Sequence, residues 1–346
     1  MTSRIPLHCI LPPHVLEHLA QRGTDAQKRM ALHALYMAGQ FRGQREAIGA
    51  LAAGAPSTGG KRRTIYDAKH TEDLPGQLIR SEGGPMTNDA AADEAYDGAG
   101  TTYDLYHDVF GRNSVDDAGL RLDSTVHYGQ DYDNAFWNGR QMVYGDGDGQ
   151  LFNRFTIAID VIGHELTHGV TQYEAGLIYS NQPGALNESM SDVFGSLVKQ
   201  WKLRQSADKA DWLIGQGLFT SQVNGVALRS MRAPGTAYDD PVIGKDPQPA
   251  RMRDYVKTTS DNGGVHINSG IPNHAFYIAA TEIGGAAWEK AGKIWYVALT
   301  NVLRRRATFQ TAANATFQVA GQLYGLGGPE QQAVSRAWAA VDITVK

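Results

Sequence analysis

The chain has 346 residues, of which 42% are hydrophobic and 20% charged, with a net charge of −4. That is long enough for two domains around an ample core. The near-neutral balance lacks the basic block that nucleic-acid binding requires, and no apolar run is long enough to span a membrane. Cys9 is the only cysteine, so an intrachain disulfide is excluded.

In chain order, residues 1–50 read as a mostly helical arm. Val15, Leu16, Leu19, Met30, Leu32, Leu35 and Tyr36 recur at roughly helical spacing. The start of the chain has no continuous apolar segment and no small-residue cleavage site, so a Sec-type signal is not expected. A Gly- and Ala-rich stretch from Gly49 to Lys61 follows, with the character of an exposed linker open to proteolytic nicking.

From Arg62 the pattern changes. Residues 64–68 and 78–80 read as strands, Ala91–Phe110 as a helix burying Ala95, Tyr96, Tyr103, Tyr106 and Phe110, and about 120–144 as further strands. The Gly-Asp-Gly-Asp-Gly run at 145–149 lacks the full calcium-loop pattern and is read as a turn. A helix at about 155–174 follows. The remainder is expected to be mainly helical, with periodic segments near 187–203, 265–282, 285–303, 308–324 and 328–341. A β-rich first half and a helical second half predict an α+β, two-domain layout with a cleft at the junction.

That junction carries the strongest chemical signal, His164-Glu165-Leu166-Thr167-His168. Histidines at i and i+4 lie on one helix face and can reach one metal ion. Glu165 between them is placed to act as a base, and Glu188, twenty residues after His168, supplies a carboxylate from a second helix. A His-His-Glu set leaves the fourth zinc position open for water and substrate.

Longer stretches deepen this reading: Asn134 to Gly139, His164 to Tyr179, Gly184 to Asp192, Leu228 to Met231, and Asp261 to Gly270. With these motifs the chain resembles the thermolysin family of zinc metalloproteases over most of residues 62–346. The short arm is more like the protealysin-like subgroup. The resemblance implies a thermolysin-like two-domain fold and a zinc-dependent endopeptidase in precursor form. Residues 1–50 would be the propeptide, 51–61 the processing region, 62–174 the β-rich domain and 175–346 the helical domain.

By the same resemblance, His164, His168 and Glu188 are the zinc ligands and Glu165 the general base that activates a zinc-bound water. Asp192 would orient a zinc histidine, Tyr179 and His266 would stabilise the oxyanion, and Asp261 would partner His266. Asn134, Ala135 and Arg229 would hold the substrate backbone. Phe152, Phe155, Val161, Ile214, Leu218 and Leu228 would wall an apolar primed-side pocket, so cleavage is expected before bulky apolar residues. The expected partners are peptide and protein substrates, the propeptide and a candidate proteinaceous inhibitor, with no nucleic acid and no membrane. Secretion by a non-Sec route, or a cytoplasmic precursor, is the expected location.

The chain departs from the family at its double calcium site. Asp160 and Asp211 remain, but Lys199, Leu213 and Gln216 stand at the other acidic positions. Calcium needs roughly six to eight oxygen ligands, so none is expected there. In the arm, Ile5 to Val15 is expected in or near the cleft, and Cys9 is read as a small buried hydrophobe in preference to a thiolate cap on zinc. His70, His107, His127 and His274 carry no motif and are read as structural or surface residues. An aminopeptidase sharing the zinc set would need an acidic cluster for the substrate amine, which is not recognisable here. A non-catalytic binding protein is disfavoured because every catalytic position is filled.

Overall fold

The computed structural model describes residues 8–37 and 59–346. The arm contributes strand β1 (His8–Cys9), helix α1 (Pro13–Arg22) and a second helix, α2, over 25–37. Pro13 starts α1, where a missing N–H costs nothing, and Val15, Leu16 and Leu19 are its buried face. Ile5 to Leu7 and most of the linker, 51–58, lie outside the described residues.

Strands β2 (Arg63–Asp67), β3 (Gln77–Ser81), β4 (Leu122–Val126), β5 (Ala135–Trp137) and β6 (Met142–Tyr144) join β1 in one six-stranded sheet, in the order β1-β5-β6-β4-β2-β3. β4 runs parallel to both β2 and β6, while β1 lies antiparallel to β5 at the sheet edge. All five residues of β4 are buried, as expected for a central strand covered on both faces.

Helix α3 (Ala90–Phe110) is capped by Asp89, whose side chain accepts from the amides of Ala91 and Ala92, and ends at left-handed Gly111. Its expected face of Ala95, Tyr96, Tyr103, Tyr106 and Phe110 is buried. The Gly-Asp-Gly-Asp-Gly run is a loop in which Asp148 accepts from the amides of Gln150, Leu151 and Phe152.

After the sheet come helices α4 (Ile159–Tyr173) and α5 (Asn181–Leu203). They cross closely because Gly195 has no side chain: a Cβ there would stand 2.3 Å from the Asp160 carbonyl oxygen. Helices α6 (Asp261–Asn268), α7 (Gly270–Ile283), α8 (Ala291–Val297), α9 (Phe309–Tyr324) and α10 (Pro329–Ala340) complete the second part. This is the expected α+β architecture.

One local expectation is corrected, and one stretch without a helical expectation is filled. Between α5 and α6 the chain forms two-stranded pairs, β7 (Leu213–Ile214) with β8 (Arg229–Ser230), and β9 (Asp239–Asp240) with β10 (Gly244–Lys245), and a short 3-10 turn at Met252–Asp254. Strands of two residues leave no periodicity to read. The helix expected over 285–303 begins only at Ala291 and passes into a π-turn at Ala298–Val302. Gly284 and Gly285, both at positive φ, separate it from α7.

Among the described residues, no helix is long and apolar enough to cross a membrane.

Candidate active site

Helix α4 directs His164, Glu165 and His168 inward, and α5 directs Asn187, Glu188, Ser191 and Asp192 against them, all buried. The two imidazoles meet edge to face with ring centres 4.6 Å apart. His164 Nε2 lies 3.5 Å from Glu188 Oε2, and His168 Nε2 lies 3.5 Å from Glu188 Oε1. Each histidine is fixed from behind. Nδ1 of His164 is 2.8 Å from Asp192 Oδ1; Nδ1 of His168 is 2.8 Å from Asn187 Oδ1 and 2.9 Å from Ser191 Oγ.

Those acceptors take the Nδ1 protons, so both Nε2 lone pairs converge on the Glu188 carboxylate. One ligand atom from each of the three residues falls within 4.8 Å of the others. Two imidazoles and a carboxylate form a donor set suited to a borderline metal such as zinc.

Asp192 ties this pair of helices to the rest of the site. Its carboxylate accepts from Arg229 Nε and Nη2 and from Asn273 Nδ2, each at 2.8 Å. Burial alone would push its carboxyl up, but the Arg229 guanidinium and His164 hold it down to about 2. Glu165 is held by the Trp137 amide, which donates to its Oε2 at 3.0 Å.

Tyr179 and His266 close the other side. The Tyr179 hydroxyl donates to Glu188 Oε1 and stands 3.1 Å from His266 Nε2. Burial pushes the Tyr179 hydroxyl well up, so it stays a protonated donor. His266 receives Asp261 on two atoms: Nδ1 is 2.6 Å from Asp261 Oδ1, and its amide donates to Oδ2 at 2.8 Å. Burial opposes a charge on His266, yet Asp261 and Glu188 raise its pKa to about 9. The turn that folds Asp261 back onto His266 has φ of 88° and 75° at Gly263 and Gly264, a left-handed conformation that glycine adopts without strain.

Four of these groups engage the arm. Asn134 Oδ1 accepts from the Leu11 amide and the Ala135 carbonyl from the Ile10 amide, each at 3.1 Å. Arg229 Nη1 donates to the Ile10 carbonyl, and His266 Nε2 faces the Cys9 carbonyl, again at 3.1 Å. Cys9 is buried and meets His266 through its backbone oxygen.

Among the apolar residues, two groups are in contact. The rings of Phe152 and Phe155 stack at 6.0 Å. The Leu228 amide donates to the Ile214 carbonyl, and the side chains of Leu218 and Leu228 both crowd Gly215. Val161 is buried in the first turn of α4, and Ile10 of the arm is completely buried.

Asn187, Ser191, Asn273, the Trp137 amide and the arm carbonyls are parts that sequence reasoning missed. Asn187 and Ser191 had a usable signal, since they stand four residues apart on the helix face that carries Glu188. Asn273, 81 residues from Asp192, had none.

Family models match two adjoining regions: "Thermolysin metallopeptidase, catalytic domain" over residues 57–172, and "Thermolysin metallopeptidase, alpha-helical domain" over 175–343. The chain belongs to the thermolysin family of metallopeptidases. It is similar to an extracellular metalloprotease of Pectobacterium carotovorum, 50% identical over all of this chain and 99% of that protein. The solved precursor of protealysin from Serratia proteamaculans covers 97% of this chain and all of its own at 54% identity, with a TM-score of 0.90. Thermolysin of Alicyclobacillus acidocaldarius is 44% identical over 80% of this chain and 50% of its own length. As a thermolysin-family protein the chain is a metalloendopeptidase, and His164, His168 and Glu188 form its candidate metal centre.

Proposed function

We propose that the chain is a zinc-dependent endopeptidase that cuts before bulky apolar residues and is made as a precursor whose arm lies in its own cleft. The observation that carries this reading is the set of four contacts from Asn134, Ala135, Arg229 and His266 to the backbone of residues 9–11. Groups expected to bind a peptide are already bound to one. β1 adds to the sheet edge at β5, one of the recurring ways an extended peptide is recognised.

The chemistry follows from the side chains. A zinc ion held by His164, His168 and Glu188 supplies Lewis acidity, which polarises a carbonyl and acidifies water. Glu165, fixed by the Trp137 amide, accepts a proton from the attacking water and returns it to the departing nitrogen. The Tyr179 hydroxyl and His266 Nε2–H donate to the carbonyl oxygen as its charge grows, and Asp261 keeps His266 charged and oriented. Arg229 and Asn134 hold the carbonyl and the amide of the peptide bond that follows the first primed residue, and the Ala135 carbonyl takes the amide of that residue itself.

In the register of the arm, the Cys9 carbonyl faces His266 and Ile10 takes the first primed position. Its fully buried aliphatic side chain supports an apolar preference. The pocket assigned to that preference is Phe152, Phe155, Val161, Ile214, Leu218 and Leu228.

Residues 1–50 act as the propeptide and 51–61 as the processing region, ahead of a β-rich domain at 62–174 and a helical domain at 175–346. The name of the Pectobacterium relative supports an extracellular site of action.

Two outcomes test this reading. Wild-type chain is expected to convert to a shorter form, while Glu165→Ala stays whole. The shortened form should cleave a quenched peptide with Leu or Phe on the primed side roughly tenfold or more faster, since a tethered competitor acts at about millimolar effective concentration. A whole chain as active as the processed one would refute the inhibitory arm. Separately, Asp192→Asn should weaken zinc affinity about 10–100-fold, as loss of a histidine-orienting carboxylate does. Competition with a chromophoric chelator reads this directly.

A further inference from the structure

The parallel strands β2, β4 and β6 lie side by side and end at the same sheet margin. Just beyond their carboxyl ends stand His70, His127 and Asp146, one from each following loop. Loops past the carboxyl ends of neighbouring parallel strands are a common place for ligand sites. The two histidines are locked together by their backbones: the His70 amide donates to the His127 carbonyl at 2.8 Å. Both take left-handed conformations, with φ of 60° and 53°, uncommon outside glycine.

The side chains converge. His127 Nδ1 is 2.8 Å from Asp146 Oδ2, and His70 Nδ1 is 3.5 Å from the same oxygen. One ligand atom from each residue lies within 4.8 Å of the other two. Behind them, His127 Nε2 is 2.7 Å from Asp89 Oδ2, while the other Asp89 oxygen caps α3. A metal histidine whose far nitrogen donates to a carboxylate is the recurring arrangement at protein metal sites.

We propose that His70 Nδ1, His127 Nδ1 and the Asp146 carboxylate bind a second divalent transition metal ion, of the zinc or nickel type. The site is separate from the one on α4 and α5. Two imidazoles and one carboxylate suit such ions and not calcium, which prefers oxygen ligands. Without metal, a proton on His127 Nδ1 bridges to Asp146; binding displaces it to solvent and leaves Nε2–H on Asp89. His70 is half-exposed, so it can close the last distance and leave room for water to complete the coordination.

The test is zinc stoichiometry of the full chain, by calorimetric titration and elemental analysis. Wild type should take up two equivalents. His70→Ala, at an exposed position, should keep the tight equivalent and lose the second. Asp89→Asn preserves an α3 cap but removes the charge behind His127, and should weaken the second equivalent about 10–100-fold. Uptake that stops at one equivalent in wild type, or a second equivalent that persists unchanged in His70→Ala, would overturn the proposal.

Discussion

Glu165→Gln is expected to lower kcat by about 10²–10⁴-fold, the range for loss of a positioned general base, with zinc content and KM close to wild type. The geometry makes this a clean substitution. The Trp137 amide donates to Glu165 Oε2 at 3.0 Å, and a glutamine oxygen accepts the same bond. The side chain therefore keeps its place and loses only its ability to take a proton. Steady-state kinetics on a quenched peptide, with metal analysis of the same sample, reads the effect. A variant that keeps full kcat would remove Glu165 from the mechanism.

The second large effect concerns Lys199, which stands where the family's double calcium site would be. Its ammonium reaches Asp160 Oδ2 at 3.1 Å, Asp211 Oδ2 at 2.9 Å and the Leu213 carbonyl at 3.1 Å. Asp160 is buried at the start of α4, the helix that carries His164 and His168. Burial pushes the Asp160 carboxyl up despite the lysine beside it. Lys199→Met would leave that carboxylate without its counter-charge, at a cost of about 3–5 kcal/mol, as is usual when one partner of a buried pair is removed. In a chain of 346 residues, with an unfolding entropy of about 2.1 cal/mol/K per residue, the expected fall in Tm is roughly 4–7 °C. Differential scanning calorimetry of Lys199→Met in the Glu165→Ala background, which prevents self-digestion, measures it. Added calcium should leave the wild-type Tm unchanged. A Lys199→Met chain as stable as its parent, or a calcium-dependent Tm in wild type, would contradict the ammonium's role as the charge at this site.

The metal centre was legible because it is local. His164 and His168 share a helix face by periodicity alone, and Glu188 and Asp192 share another, so only the crossing of two helices remained to be supplied. The lysine set against Asp160 and Asp211 was also readable, since it is a change of charge at named positions. Main-chain donors were not readable: the Trp137 amide would hold Glu165 whatever side chain stood at 137. Asn273 reaches Asp192 only through the packing of α7 on α5, and nothing in its neighbourhood marks it. The paired two-residue strands between α5 and α6 have no local pattern and exist through their partners. His70 and His127 lack a motif because three separate loops bring them to Asp146, and only the strand order shows that those loops meet.

The proposed endopeptidase activity rests on a zinc ion bound by His164, His168 and Glu188. The most direct measurement is cleavage of a quenched peptide with Phe or Leu on the primed side by the processed chain, stripped with 1,10-phenanthroline and then reloaded. Activity should disappear with the metal and return with one equivalent of zinc, while calcium alone restores nothing. A fully processed, zinc-loaded chain that cleaves nothing across a diverse library of apolar peptides would contradict it.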